Sequence, residues 1–299
     1  MKKVILNATL STLLMGVLLS YSNQSNAAQA RALTYACGAD CSDSSGDPAL
    51  FSTSYAAGWL SAMSSAYSET TNDCTIFAEE LADASFWSGG LDHTASNIDD
   101  GDATLLVTHG GCVGGWDHCT SWNAYLTTAS GHYSPPPGDG QCTVNSANMD
   151  VGDNDAEFFH STACHSSQMD LLYEYQGHWK FPTCNNRLHQ YGGFHGTANS
   201  MNWDKLDDFA TQALQSGESI AWAWIENMTL FDAWGSGSSD LCPASHIHGY
   251  SVEDAGVRRD NERYNGTVYS DPPASGAVAI GLAYTNCDPP NGLSIGSYM

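Results

Sequence analysis

The chain has 299 residues, 42% of them hydrophobic, with 33 acidic against 9 basic residues and a net charge of −24. That charge argues against binding a nucleic-acid backbone or an anionic membrane, and it favours cations and basic peptides. The apolar and aromatic content rules out a disordered chain and suffices for a sizeable core.

The N-terminus has the order of an export signal. Lys2-Lys3 precede an apolar run from Val4 to Leu19, and small residues follow, with Ser25-Asn26-Ala27 and Ala28-Gln29-Ala30 as cleavage sites. The apolar core is too short and interrupted to span a membrane, which takes about 20 apolar residues. Residues 1–30 therefore read as a signal peptide and 31–299 as one secreted or periplasmic domain.

Arg31–Cys37 reads as a first strand and Ala49–Tyr67 as a helix, with Leu50, Tyr55, Trp59 and Met63 at helical spacing. Thr75–Phe86 reads as a second helix, followed by a Gly/Asp loop to Asp102. Ala103–Thr108 is a short, nearly continuous apolar strand of the kind buried on both faces of a parallel sheet. Residues 110–150 hold no long element and read as a loop insertion, rich in Gly, Pro, Ser and Asn. Ala156–Thr162 is the next strand, Ser166–Tyr175 a helix, and Arg187–Phe194 strand-like. Trp203–Gln215 is a helix, while Glu218–Met228 suits either a strand or a helix. Ala244–Tyr250 is read as the last core strand, before a Pro/Gly-rich end with one apolar stretch at Ala277–Ala283. Alternating strands and helices without a visible linker indicate an α/β domain with a doubly wound, mostly parallel sheet flanked by helices. Sites in such sheets form at the carboxyl ends of strands.

Two strand ends carry reactive side chains. One runs L-L-V-T into His109-Gly110-Gly111, the other F-F-H-S-T-A into Cys164-His165. On neighbouring strands they supply a thiol nucleophile and its base. Gly110 lets a substrate approach the backbone, and its N–H with that of Cys164 forms a candidate oxyanion site. Ten cysteines in an exported chain suggest disulfides. Cys164 is then either a free nucleophile or a bonded structural residue. Cys37–Cys41 and Cys112–Cys119 suit small disulfide loops at least as well as zinc, and no metal site is assigned. His160, His165 and His195 lie near the same strand ends as His109, where they read as polar loop residues or a metal cluster. The acidic stretches Asp99–Asp102 and Asp150–Asp155 read as solvated turns or as hard-oxygen loops for Ca²⁺; no other cofactor is required. The many Trp and Tyr residues keep a carbohydrate-active protein as a third reading, which the strand pattern disfavours.

A strand ending in His-Gly, followed about 50 residues later by one ending in Ala-Cys, resembles the caspase–gingipain–clostripain–legumain group of cysteine peptidases. Downstream, Tyr191–Thr197 and Gly217-Glu218-Ser219-Ile220-Ala221-Trp222-Ala223-Trp224 occupy places similar to segments of bacterial members. Leu188-His189 to Phe194, with Arg258-Arg259-Asp260, resembles an uncharacterised bacterial branch. The resemblance covers residues 31–270. It implies a caspase-like fold, a helical Glu218–Met228, a His109–Cys164 dyad, and a peptide or protein substrate. The alternative it leaves is the same fold without activity, as a disulfide-stabilised binding or surface protein.

Overall fold

The computed structural model describes residues 28–34, 49–73, 77–92, 94, 97–108, 110–112, 124–127, 143–145, 148–163, 166–167, 187–194, 205–215, 218–229, 243–265, 269–272 and 278–283. The described residues form a seven-stranded sheet with four helices, the α/β class expected from the sequence. Its strands are β1 (Gln29–Thr34), β2 (Glu69–Asp73), β3 (Ala103–Val107), β7 (Phe158–Ser161), β8 (Gln190–Phe194), β9 (Pro243–Gly249) and β10 (Val278–Ala283). The order is β10-β9-β8-β7-β3-β1-β2. Strands β2, β1, β3, β7 and β8 are parallel, and β9 and β10 complete the sheet with antiparallel pairings. From β1 the chain winds out to β2 on one side and to β3, β7 and β8 on the other, which is the doubly wound pattern.

The central strands form because their residues are apolar on both sides. All five residues of β3 are buried, as are those of β7 and β8. Alternate residues feed two half-cores. On one face Leu105, Phe158 and Phe194 pack with Trp59 and Met63 of α1 (Ala49–Met63), Phe209 of α2 (Leu206–Gln215) and Trp224 of α3 (Ile220–Met228). On the other, Leu33, Leu106, Phe159 and Tyr191 pack with Leu81, Ile98, Met149 and Val151 from connecting segments. Each such large apolar side chain contributes about 1.5–3 kcal/mol on burial.

Glu218–Met228 resolves to a helix. Ser219 caps α3 by accepting from the Trp222 N–H at 3.4 Å. The fourth helix, α4 (Val252–Asn261), is not foreseen from the sequence, because V-E-D-A-G-V-R-R-D-N buries only Ala255 and Arg258. Its start is set by Ser251, which accepts from the Asp254 N–H, and its acids and arginines match the helix dipole.

Several expectations change. The helix expected over Thr75–Phe86 is, where described, a single 3₁₀ turn at Ala78–Glu80 followed by turns. Polar side chains there capture main-chain groups: Glu80 accepts from the Phe77 N–H at 2.8 Å, and Asp83 accepts from the Ser85 N–H. Such bonds compete with a helix ladder. Helix α1 stops at Met63 rather than Tyr67, where Ser64 Oγ donates to the Ser61 carbonyl at 2.7 Å. Strand β2 escapes the sequence reading because E-T-T-N-D is an exposed edge strand with no apolar alternation. Ala244–Tyr250 is a core strand but not the last, since β10 adds beyond it. The insertion after β3 holds a second, three-stranded antiparallel sheet of β4 (Gly110–Cys112), β5 (Ala124–Thr127) and β6 (Thr143–Asn145).

Candidate active-site rim

Strands β3 and β7 are hydrogen-bonded parallel neighbours. Ala103 pairs with Phe158, Thr104 with Phe159, Leu105 with His160 and Leu106 with Ser161. The pairing continues where the Thr162 N–H donates to the Leu106 carbonyl at 2.9 Å. Both strands end at the same rim, in buried Thr108 and buried Ala163. His109 and Cys164, the next residue of each, lie outside the described residues. Gly110 is buried and opens β4, paired with Leu126.

Ser166 and Ser167 are held by β8. The Ala163 carbonyl accepts from the Ser166 N–H at 3.4 Å and from the Ser166 hydroxyl at 2.7 Å. The Phe194 N–H donates to Ser166 Oγ at 3.3 Å, and the Ser167 N–H donates to the Phe194 carbonyl at 2.9 Å. The buried Tyr191 hydroxyl donates to the Ser166 carbonyl. Gly193 makes this approach possible, because a Cβ there would lie 2.6 Å from Ser166 Oγ and 2.8 Å from Ser167 Cβ. Its carbonyl is held by Trp224 Nε1 at 3.1 Å.

His160 does not join this rim. Its imidazole is fully buried among Phe209, Trp224 and Tyr264, with Nδ1 at 3.1 Å from the Tyr264 hydroxyl. Burial pulls its pKa down to about 3, so it is a neutral core residue. Gly192 leaves room for that ring: a Cβ would meet His160 Nε2 at 3.0 Å and Cδ2 closer still. His165 and His195 lie outside the described residues, as do the cysteines other than Cys112, whose backbone lies in β4.

The two acidic stretches meet. Asp99 accepts main-chain N–H groups from Gly152 at 2.8 Å, Asn154 at 2.7 Å and Ala156 at 3.1 Å. Its pKa is pushed up to about 9 by burial and then by its bond to Asp153, against the pull of the Gly152 and Asn154 N–H groups. Beside it, carboxylate oxygens of Asp83, Asp92 and Asp153 lie within 4.8 Å of one another, the donor type a hard cation takes.

The opposite rim holds a buried ionic cluster that sequence reading missed. His189, just ahead of β8, places Nδ1 2.6 Å from Glu262 Oε1 and Nε2 3.4 Å from Asp271 Oδ1. Gln190 Nε2 donates to Glu262 Oε2 at 2.8 Å. Fully buried Arg258 donates to Asp254 at 2.9 Å and to the Ser270 carbonyl at 2.7 Å. Burial opposes the imidazolium, but the hydrogen bonds to Asp271 and Glu262 and the charges of Glu262 and Glu157 outweigh it, raising His189 to about 9. Glu157, His189 and Asp271 have ligand atoms close enough for a shared metal, yet His189 already pairs with Glu262 and Asp271, and Glu157 with Arg187. Nothing in the periodicity of L-H-Q-Y-G-G-F marks His189 as charged; only its burial beside Glu262 does.

No family model, curated protein or solved structure compared with the chain matches it. Among the described residues no helix is long and apolar enough to cross a membrane.

Proposed function

We propose that the protein is an exported cysteine endopeptidase of caspase-like type, with Cys164 as nucleophile and His109 as its acid–base partner. One observation carries this reading. The residues paired between β3 and β7 keep a constant offset along the pair, Ala103 with Phe158 through Leu106 with Ser161. The same offset separates His109 and Cys164 in the sequence, and the strands they follow are neighbours. Neighbouring strands lie about 4.8 Å apart, a span that a thiol and an imidazole bridge readily.

In the proposed reaction the Cys164 thiolate attacks the scissile carbonyl. The N–H groups of Gly110 and Cys164 receive the oxyanion. The His109 imidazolium gives its proton to the leaving amine, and the acyl-enzyme remains. Water then attacks the thioester while neutral His109 takes its proton; the C–S bond breaks, the carboxylic acid product leaves, and the thiolate–imidazolium pair is restored.

The test is alkylation of the purified chain without reductant, followed by peptide mapping, together with a peptide-library cleavage assay. The buffer is mildly reducing and contains Ca²⁺, because the two acidic loops meet. Labelling at Cys164 with cleavage that Cys164→Ala abolishes supports the reading. A disulfide at Cys164 with no cleavage refutes it and leaves a disulfide-stabilised binding or surface protein.

A further inference from the structure

We propose that one water molecule is bound inside the protein core, bridging His160 Nε2 to the hydroxyl of Ser245 across Gly192. This site is independent of the chemistry proposed at Cys164. His160, Gly192 and Ser245 stand in one row over three neighbouring strands, since His160 pairs with Gly192 and Gly192 with Ser245. All three therefore present the same face of the sheet, the one on which the His160 ring meets Phe209 and Trp224. His160 and Ser245 are fully buried. Among the described residues neither His160 Nε2 nor Ser245 Oγ has a hydrogen-bond partner. A buried polar group left unpaired carries its full desolvation penalty. Two such groups in one row of an otherwise apolar half-core call for a shared partner.

The positions of the protons say what that partner does. Burial keeps the Tyr264 phenol protonated, and its partner among the described residues is His160 Nδ1 at 3.1 Å. The phenol therefore donates to Nδ1. In the neutral ring the proton then sits on Nε2. Nε2–H is a buried donor, while the Ser245 hydroxyl both donates and accepts. A water accepts from the first and bonds the second either way round. The spacing suits it. A Cβ on Gly192 would lie 3.0 Å from Nε2, and directly opposed Cβ positions of antiparallel strands are about 4.5–5.5 Å apart. That brings Ser245 Oγ into the range that two bonds of about 2.9 Å through one water span. Trp224 closes the row, because its ring lies 3.1 Å from the same Cβ position and its Nε1 is fixed on the Gly193 carbonyl. A water so enclosed, with polar partners on both sides, is part of the fold. It ties β7 to β9 across β8, where the sheet changes from parallel to antiparallel pairing.

The full chain is studied by crystallography at a resolution that shows ordered water, and by NMR with isotope-labelled histidine. Three results are expected: a density peak within hydrogen-bond distance of both His160 Nε2 and Ser245 Oγ, a ring protonated at Nε2, and magnetisation transfer from the Nε2–H proton to a long-lived water. Two Ser245 variants of nearly equal shape separate the hydroxyl from packing. Ser245→Thr keeps the transfer, and Ser245→Val loses it together with the density peak. A direct Nε2–Oγ bond, a ring protonated at Nδ1, or no peak beside Nε2 overturns the proposal. So does a Ser245→Val protein that keeps the water signal at wild-type intensity. The wild-type density and spectrum decide by themselves, so a variant that fails to fold leaves the test intact.

Discussion

His189 and Glu262 meet through a 2.6 Å hydrogen bond with both side chains fully buried, at the sheet rim opposite the one where β3 and β7 end. The pair joins the start of β8 to the end of α4, and Gln190, Arg258, Asp271 and Glu157 surround it. His189 has its folded pKa raised to about 9 from 6.5. Its contribution to stability is therefore complete below about pH 6.5 and lost as pH rises through 9. Glu157 is raised to about 7, chiefly by burial, so its contribution likewise falls as pH rises through 7. The unfolding free energy from urea titrations should decline steadily from pH 6 to pH 9. His189→Ala should cost about 3–5 kcal/mol at pH 6 and flatten the upper part of that decline. A wild-type stability that rises over this interval would contradict the assignment.

The adjacent glycines of β8 should respond differently to the same substitution. Gly193→Ala drives a methyl into Ser166 and Ser167, and Gly192→Ala drives one into His160 and Trp224. Each should cost about 1–3 kcal/mol in thermal or urea unfolding. Only Gly193→Ala should also speed hydrogen exchange at the Phe194 and Ser167 N–H groups, since only it displaces Ser166 and Ser167.

On the export reading proposed above, Ala28 should be the first residue of the mature chain. Strand β1 begins at Gln29, whose N–H donates to Asp102 at 2.6 Å, and it pairs on one side with Glu69 and Thr70 and on the other from Ala30 to Ala103. Cutting after Ala30 would remove two residues from a strand that lies between β2 and β3. Intact-mass and N-terminal sequencing of protein from the native host should therefore find Ala28, with Arg31 as the outcome that contradicts it.

His109→Ala and Cys164→Ala should each reduce kcat by roughly a thousandfold or more, as loss of one member of a catalytic unit does. The unfolding temperature should stay near wild type, as expected of residues that act in the reaction. A His109→Ala protein that cleaves peptides at the wild-type rate would remove the histidine from the mechanism.

The strands that bear on the site were legible because their chemistry is simple. A-T-L-L-V and F-F-H-S read as buried strands, and the segment between them is long enough for the crossover a parallel pair needs. Edge elements carried no such signal: E-T-T-N-D could be any polar turn, and α4 has a glycine and three acids in ten residues. Glu218–Met228 needed its tertiary setting to choose between two periods, and Trp224 decided it by packing beneath β8. His160 misled because a histidine in an apolar strand has the same letter whether it faces solvent or an aromatic core. The ionic cluster was illegible for the converse reason, since its members are spread from Glu157 to Asp271 and meet only when β7, β8 and α4 have assembled.

Strand β1 also constrains how the fold assembles. Its leading N–H is taken by the Asp102 carboxylate, 73 residues further along the chain. Until β3 is made, β1 has no partner on that side, and its apolar side chains with Arg31 stand uncovered. Slowing synthesis between residues 34 and 103 should lengthen that exposure and raise proteolysis near residue 31 without altering the finished fold.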